Sequence, residues 1–239
     1  MLATRVERDA VPSRVPALIL ALLWVDVGLV TLHALNVTLL AWFDRPRSFF
    51  DLDAESNLPT WWSGVQLALV AAFLGIFAAV VVRREDRTTW PVAAAPLIVL
   101  FLSLDETVGL HDRIRDSLHG SPGSNALPRT GPWMLVLAPL LVTAVVALVA
   151  VSRRHWSAPS PVRRRLALGS ATFLIAAAGV EVFANHLEPG SGAARVQVAV
   201  EEGGELLGVT LVGWGAWGLL ASRGVRLDLG WRSESRQAA

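Results

Sequence analysis

The sequence predicts an all-α, polytopic membrane protein folded as one six-helix bundle with both termini on the cytoplasmic side. Its 239 residues are 53% hydrophobic and only 17% charged, with mean hydropathy +0.49. That is too apolar for an ordinary soluble domain. Six apolar runs reach the length of about 20 residues that a spanning helix needs: 15–43, 60–82, 91–111, 133–151, 166–187 and 196–221. The arginines alternate with these runs: 15 of 21 fall in the N-terminus, around Arg83, Arg84 and Arg87, in segment 153–165 and in the tail. The positive-inside rule assigns those segments to the cytoplasm.

The acids are distributed oppositely, with 13 of 20 falling in the loops and span ends of the other side. The near-neutral net charge of +1 therefore conceals an acidic outer end and a basic inner end. Such a field concentrates cations outside. Cysteine is absent, which excludes disulfides and thiolate chemistry. Lysine and tyrosine, whose codons are AT-rich, are absent too, as in a GC-rich bacterial genome. Nothing in the composition calls for nucleic acid.

The first run follows Arg5, Arg8 and Arg14, is too long for a signal-peptide core and lacks a small-residue cleavage site, so it is expected to be retained. Residues 1–14 are then a cytoplasmic N-terminus, 15–221 the membrane domain and 222–239 a cytoplasmic tail. Run one carries Asp26 and His33, seven residues apart and so on one helix face, with Asn36 beyond them. In the outer loop that follows, Pro59 and Thr60 suit a helix start. Most of the ten tryptophans lie near span ends and fit an interfacial aromatic belt.

Run three ends in Ser103, Asp105, Glu106, His111 and Asp112, and its helix is expected to continue to about residue 118, before Gly120 and Pro122. Run four, 133–151, has no charged residue and reads as structural. Run five ends in Glu181, Asn185 and His186. Run six carries Glu201, Glu202 and Glu205, then Gly204, Gly208, Gly213, Gly215 and Gly218, a spacing that permits close helix approach.

Ionisable groups inside a span cost about 2.5 kcal/mol or more each, so a set of them demands partners, a cation or water. The metal ligands expected are Glu106, His111, Glu181, His186, Glu202 and Glu205, with Asp105 and Glu201 as spare carboxylates for general-base catalysis and His33, Asp26, Glu55 and Ser103 as secondary candidates. Mixed oxygen and nitrogen ligation suits Fe, Mn or Zn. Glu106–His111 and Glu181–His186 are each spaced i, i+5, which on a regular helix turns the two side chains about 140° apart. A π-bulge between them would realign each pair. Convergence further requires helices three, five and six to be mutual neighbours.

Three segments, Glu55-Ser56-Asn57-Leu58-Pro59-Thr60-Trp61, Ser103-Leu104-Asp105-Glu106 with His111-Asp112, and Glu201-Glu202 with Glu205-Leu206-Leu207-Gly208, resemble an uncharacterised family of bacterial multi-pass membrane proteins. That resemblance implies no activity. In chemistry alone the residue types are similar to those of ceramidase-like transmembrane hydrolases, whose zinc is held by three histidines beside a serine and an aspartate. Ser103, Asp105, His33, His111 and His186 supply those types, but the paired His-x-x-x-His is absent and six helices replace seven.

Three functions remain open. The first is an inner-membrane metalloprotein with its site facing outward, with or without enzymatic action on a lipid or small amphiphile as hydrolase or oxidoreductase. The second is a cation- or proton-coupled transporter or channel, for which intramembrane acids are equally expected. The third is a structural or assembly subunit.

Overall fold

The structure, a computed structural model, describes residues 15–39, 48–54, 56–84, 90–117 and 158–225, with Pro139 and Val142 besides. The described residues are helical and contain no strand: α1 (Ala17–Leu39), a 3₁₀ turn (Ser48–Phe50), α2 (Leu58–Arg84), α3 (Trp90–Val108), α4 (Leu110–Ser117), α5 (Ser160–Leu174), a π-helical segment (Ile175–Val180), α6 (Glu181–Ala184) and α7 (Gly192–Ser222). Four stretches are long and apolar enough to cross a membrane: Ala17–Thr38, Leu58–Arg83, Ser160–Ala184 and Gly192–Ser222. Large apolar side chains face outward on all of them, among them Trp24, Ile76, Ile175 and Val196. Lipid is the solvent for such surfaces, and this is a membrane protein. Run four, 133–151, lies outside the described residues apart from Pro139 and Val142, as do residues 1–14 and 226–239.

Local chemistry sets the helix ends. Asn57 caps α2 by accepting the Thr60 N–H at 3.1 Å, and Thr60 Oγ1 reaches back to Ala54 O at 3.3 Å. Ser56 turns the chain into that cap with φ +59°. Ser191 caps α7 by accepting from Ala194 N at 3.1 Å. The hydroxyls of Thr31 and Thr38 donate to the carbonyls of Val27 and Ala34, so neither is left bare in an apolar helix.

Contacts fix the helix directions. α2 and α7 run parallel, with Gln66 against Thr210, a Gly213 Cβ falling 3.3 Å from Val70, and the Phe73 ring edge-on to Trp217. α5 runs antiparallel to α7: Cβ atoms added at Gly218, Gly215, Gly208 and Gly204 would strike Val162, Leu166, Phe173 and Ala176 in turn. At the tightest point a Cβ on Gly208 would lie 2.6 Å from Phe173 N and 2.9 Å from Gly169 O. The glycines expected to bring helices together do so here. α1 is also antiparallel to α7, through Asp26–Thr210 and Val30 against Gly203. α3 is antiparallel to α2, through Ser103–Gly64 and Pro96 against Gly75.

These directions bring Arg83, Arg84, Arg163, Arg164, Arg165 and Arg223 to one end and Asp51, Asp53, Asp105, Glu106, Glu188, Glu201, Glu202 and Glu205 towards the other. Arg163, Arg164 and Arg165, expected in a loop, belong to the first turns of α5, which begins at Ser160. Arg165 stacks its guanidinium 3.8 Å from the centre of the Trp214 ring. The apolar core lies towards the arginine end, around Phe77, Val81, Val92, Val162, Leu219 and Leu220.

Two expectations are corrected. The helix of run three does not continue to residue 118: it ends at Val108, because Gly109 takes φ +63° and closes it by donating to Asp105 O at 2.7 Å. Helices three, five and six are not mutual neighbours either. α5 and α7 pack along each other, but α3 packs along α2, which stands between it and α7.

Candidate functional site

A polar group within the bundle with partners on two other helices is Asp26, only 4% exposed. Its carboxylate accepts from Trp62 Nε1 at 2.9 Å and from Gln66 Nε2 at 2.6 Å, both on Oδ1, and from Thr210 Oγ1 at 2.7 Å on Oδ2. Gln66 Nε2 also lies 3.2 Å from Thr210 Oγ1, so α1, α2 and α7 meet in one network. Trp62 and Gln66 are one turn apart on α2, which aims both at the same carboxylate. Thr210 is brought in by the parallel register of α2 and α7. The sequence reading included Asp26 but missed all three donors. Gln66 had a signal, being a lone amide in the apolar run of α2, whereas Trp62 resembled a belt residue and Thr210 an ordinary helix threonine.

From Asp26 towards the acidic end, α1 continues with buried His33 and Asn36, each 3% exposed. Leu52, in the loop between α1 and α2, donates its backbone N–H to His33 Nδ1 at 3.0 Å, and Asp51 Oδ1 lies 3.4 Å from the same nitrogen. Leu52 is itself buried, so the loop closes over α1 at this point. His33 Nε2 and Gln66 Oε1 are buried and lack a hydrogen-bond partner among the described residues. By the α1–α7 register, His33 is level with the turn of α7 that carries Glu201 and Glu202. Glu201 accepts from buried Gln197, and Glu201, Glu202 and Glu205 are all half-buried.

The helix break at Gly109 builds a second polar unit. Asp105 turns its carboxylate onto the residues beyond the break, accepting from His111 N at 2.9 Å and contacting His111 Nδ1 at 3.1 Å. It thereby caps α4, whose preceding residue is a glycine with no side chain to offer. Ser103 donates its hydroxyl to Gly64 O at 2.8 Å, a bond between α3 and α2 rather than one to a base.

The remaining expected ligands are scattered. Glu106 is half-buried near the end of α3, which does not pack along the helix of Glu202 and Glu205. Glu181 opens α6 directly after the π-helical segment, so the wide turn precedes Glu181 instead of separating it from His186. His186 lies in the turn beyond α6, exposed, with its ring 6.3 Å from that of Phe183. Glu55 lies outside the described residues. Among the described residues, no group of three or more His, Asp or Glu is placed to hold a metal ion.

The family described as "Domain of unknown function (DUF8692)" matches residues 16–220. No curated protein and no solved structure matches the chain.

Proposed function

The chain belongs to the DUF8692 family, and on that premise we propose that it is a proton-coupled membrane transporter whose proton site is Asp26. The observation that carries this reading is one buried carboxylate shared by three membrane helices. A group that ties α1, α2 and α7 together through its charge changes their packing when it is neutralised. Uptake of one proton by Asp26 removes an acceptor from Trp62, Gln66 or Thr210. The new O–H finds its acceptor in Thr210 Oγ1, whose own hydrogen can turn to a carbonyl one turn back in α7.

A proton fits this site better than a metal ion. Among the described residues, Trp62, Gln66 and Thr210 all meet Asp26 as donors, while a cation needs oxygen acceptors around it. The Fe, Mn or Zn reading has no gathered ligand set among the described residues to support it, so no chemical step is assigned to a metal. The same holds for hydrolysis of a lipid or amphiphile, since Ser103 and Asp105 are engaged elsewhere.

Access is from the acidic end. Buried polar side chains on that side include His33, Asn36, Ser63 and Gln197, whereas towards the arginine end the core is sealed by Phe77, Val81, Leu219 and Leu220. In this proposal the arginine end is cytoplasmic, the protein sits in the bacterial inner membrane and Asp26 loads from outside. An infrared titration tests the site: lowering the pH should bring up a protonated-carboxyl C=O band in the wild-type protein that Asp26→Asn lacks. If the two titrate identically, Asp26 is a structural clamp and the assembly-subunit reading takes over.

A further inference from the structure

We propose that His33 is the proton relay between the acidic end and Asp26; this rests on the reading of Asp26 as a proton site. His33 is 3% exposed, and the Nδ1 edge of its ring meets the backbone of Leu52 in the loop between α1 and α2. Because Nδ1 accepts the Leu52 N–H at 3.0 Å, it carries no hydrogen, and the neutral ring holds its proton on Nε2. That Nε2–H is buried without a partner among the described residues. So is Gln66 Oε1, an acceptor on the amide that touches Asp26.

A buried orphan donor and a buried orphan acceptor, both belonging to the Asp26 face of the bundle, call for something between them, since buried polar groups are almost always satisfied. His33 and Asp26 are seven residues apart on one face of α1, a rise of about 10.5 Å. Three ordered waters, joined by four hydrogen bonds of about 2.8 Å each, span that distance and satisfy both atoms. The ligand of this site is therefore a short water chain, with His33 at its outer end and the Gln66–Asp26 pair at its inner end.

The step balances without a further reactant. Asp51, 3.4 Å from Nδ1, brings a proton from solution. The Leu52 N–H lets go, Nδ1 takes the proton, Nε2 releases its own to the chain, and the last water protonates Asp26. The ring is left neutral with its hydrogen on Nδ1: one proton has entered from solution and one has reached Asp26, which balances the transfer. The charged groups around His33 are Asp51 and Asp53 from the loop and, at its level on α7, Glu201, Glu202 and Glu205, with Arg195 nearer that helix's start. α2 brings none before Arg83. All but Arg195 favour a passing positive charge.

The test follows the Asp26 carboxyl band by time-resolved infrared spectroscopy after an acid jump on the full-length protein in nanodiscs. His33→Gln keeps an acceptor for Leu52 but cannot pass a proton. It should leave the final band amplitude unchanged and slow its appearance by about tenfold or more. In His33→Ala, added imidazole should restore the fast phase, which a merely structural role would not produce. A His33→Gln rate within about twofold of wild type, or no rescue by imidazole in a folded His33→Ala protein, overturns the relay while leaving the Asp26 site standing. Absence of the band in wild type overturns both.

Discussion

Thr210 donates to Asp26 Oδ2 at 2.7 Å, joining α7 to α1 across 184 residues of sequence. The bond matters because Asp26 is the acceptor on which three helices converge. Asp26→Leu would strand the Trp62, Gln66 and Thr210 donors in an apolar setting, at about 1–3 kcal/mol for each group left unsatisfied. Asp26→Asn retains an acceptor oxygen for Trp62 and Gln66, and its amide can donate to Thr210, so the loss should be about 1 kcal/mol. Thermal unfolding in detergent should rank Asp26→Leu far below Asp26→Asn and wild type. Equal melting of the three would mean that the network does not hold the bundle.

The contact between α5 and α7 has no room for a methyl group. Gly208→Ala would place Cβ 2.6 Å from Phe173 N and 2.9 Å from Gly169 O, and backbone atoms within a helix cannot step aside cheaply. It should destabilise by about 1–3 kcal/mol or more. Gly28→Ala, with nothing within 4 Å, should be neutral or about 0.5–1 kcal/mol stabilising through helix propensity. Melting temperatures of the pair check this contrast, and similar losses at both sites would contradict the close approach.

At the break between α3 and α4, Gly109→Ala forces a β-carbon into φ +63°, a cost of about 1–2 kcal/mol. Asp105→Ala removes the cap from α4, at about 1 kcal/mol. Hydrogen exchange should show the amides of Leu110–Ser117 opening in both variants while those of α5 and α7 stay protected. Unchanged exchange in α4 would mean that Asp105 is not its cap.

Metal content bears on the reading that the structure does not support. With no ligand group among the described residues, elemental analysis of purified protein should find no stoichiometric Fe, Mn or Zn after washing with a chelator. A stoichiometric ion that disappears in Glu202→Gln with Glu205→Gln would restore the metal reading and displace the proton site.

How much was legible in the sequence differs by level. Apolar runs and arginine spacing located the spans of α1, α2 and α7 because a membrane helix announces itself by composition alone. Gly204, Gly208, Gly215 and Gly218 announced a packing face in the same way. The site was harder, because burial in a bundle depends on which helices touch, and no single-helix pattern encodes that α2 lies between α3 and α7. The acids that drew attention, such as Glu106 and Glu202, are conspicuous by charge. The network residues Gln66 and Thr210 are uncharged and became visible only through their shared contact with Asp26. The error at run three came from Gly109, which at i, i+4 from Asp105 is the stop signal itself, read there as one more residue of a continuing helix.

The central claim, that Asp26 takes up a proton from the acidic end, is tested most directly by sided acidification of oriented proteoliposomes under infrared detection. Acidifying the side that faces Asp51 and Glu201 should raise the protonated-carboxyl band in wild-type protein and not in Asp26→Asn, and acidifying the side that faces Arg83 and Arg163 should raise it far more slowly. A band that appears equally fast from the arginine side, or one that persists in Asp26→Asn, would contradict the account.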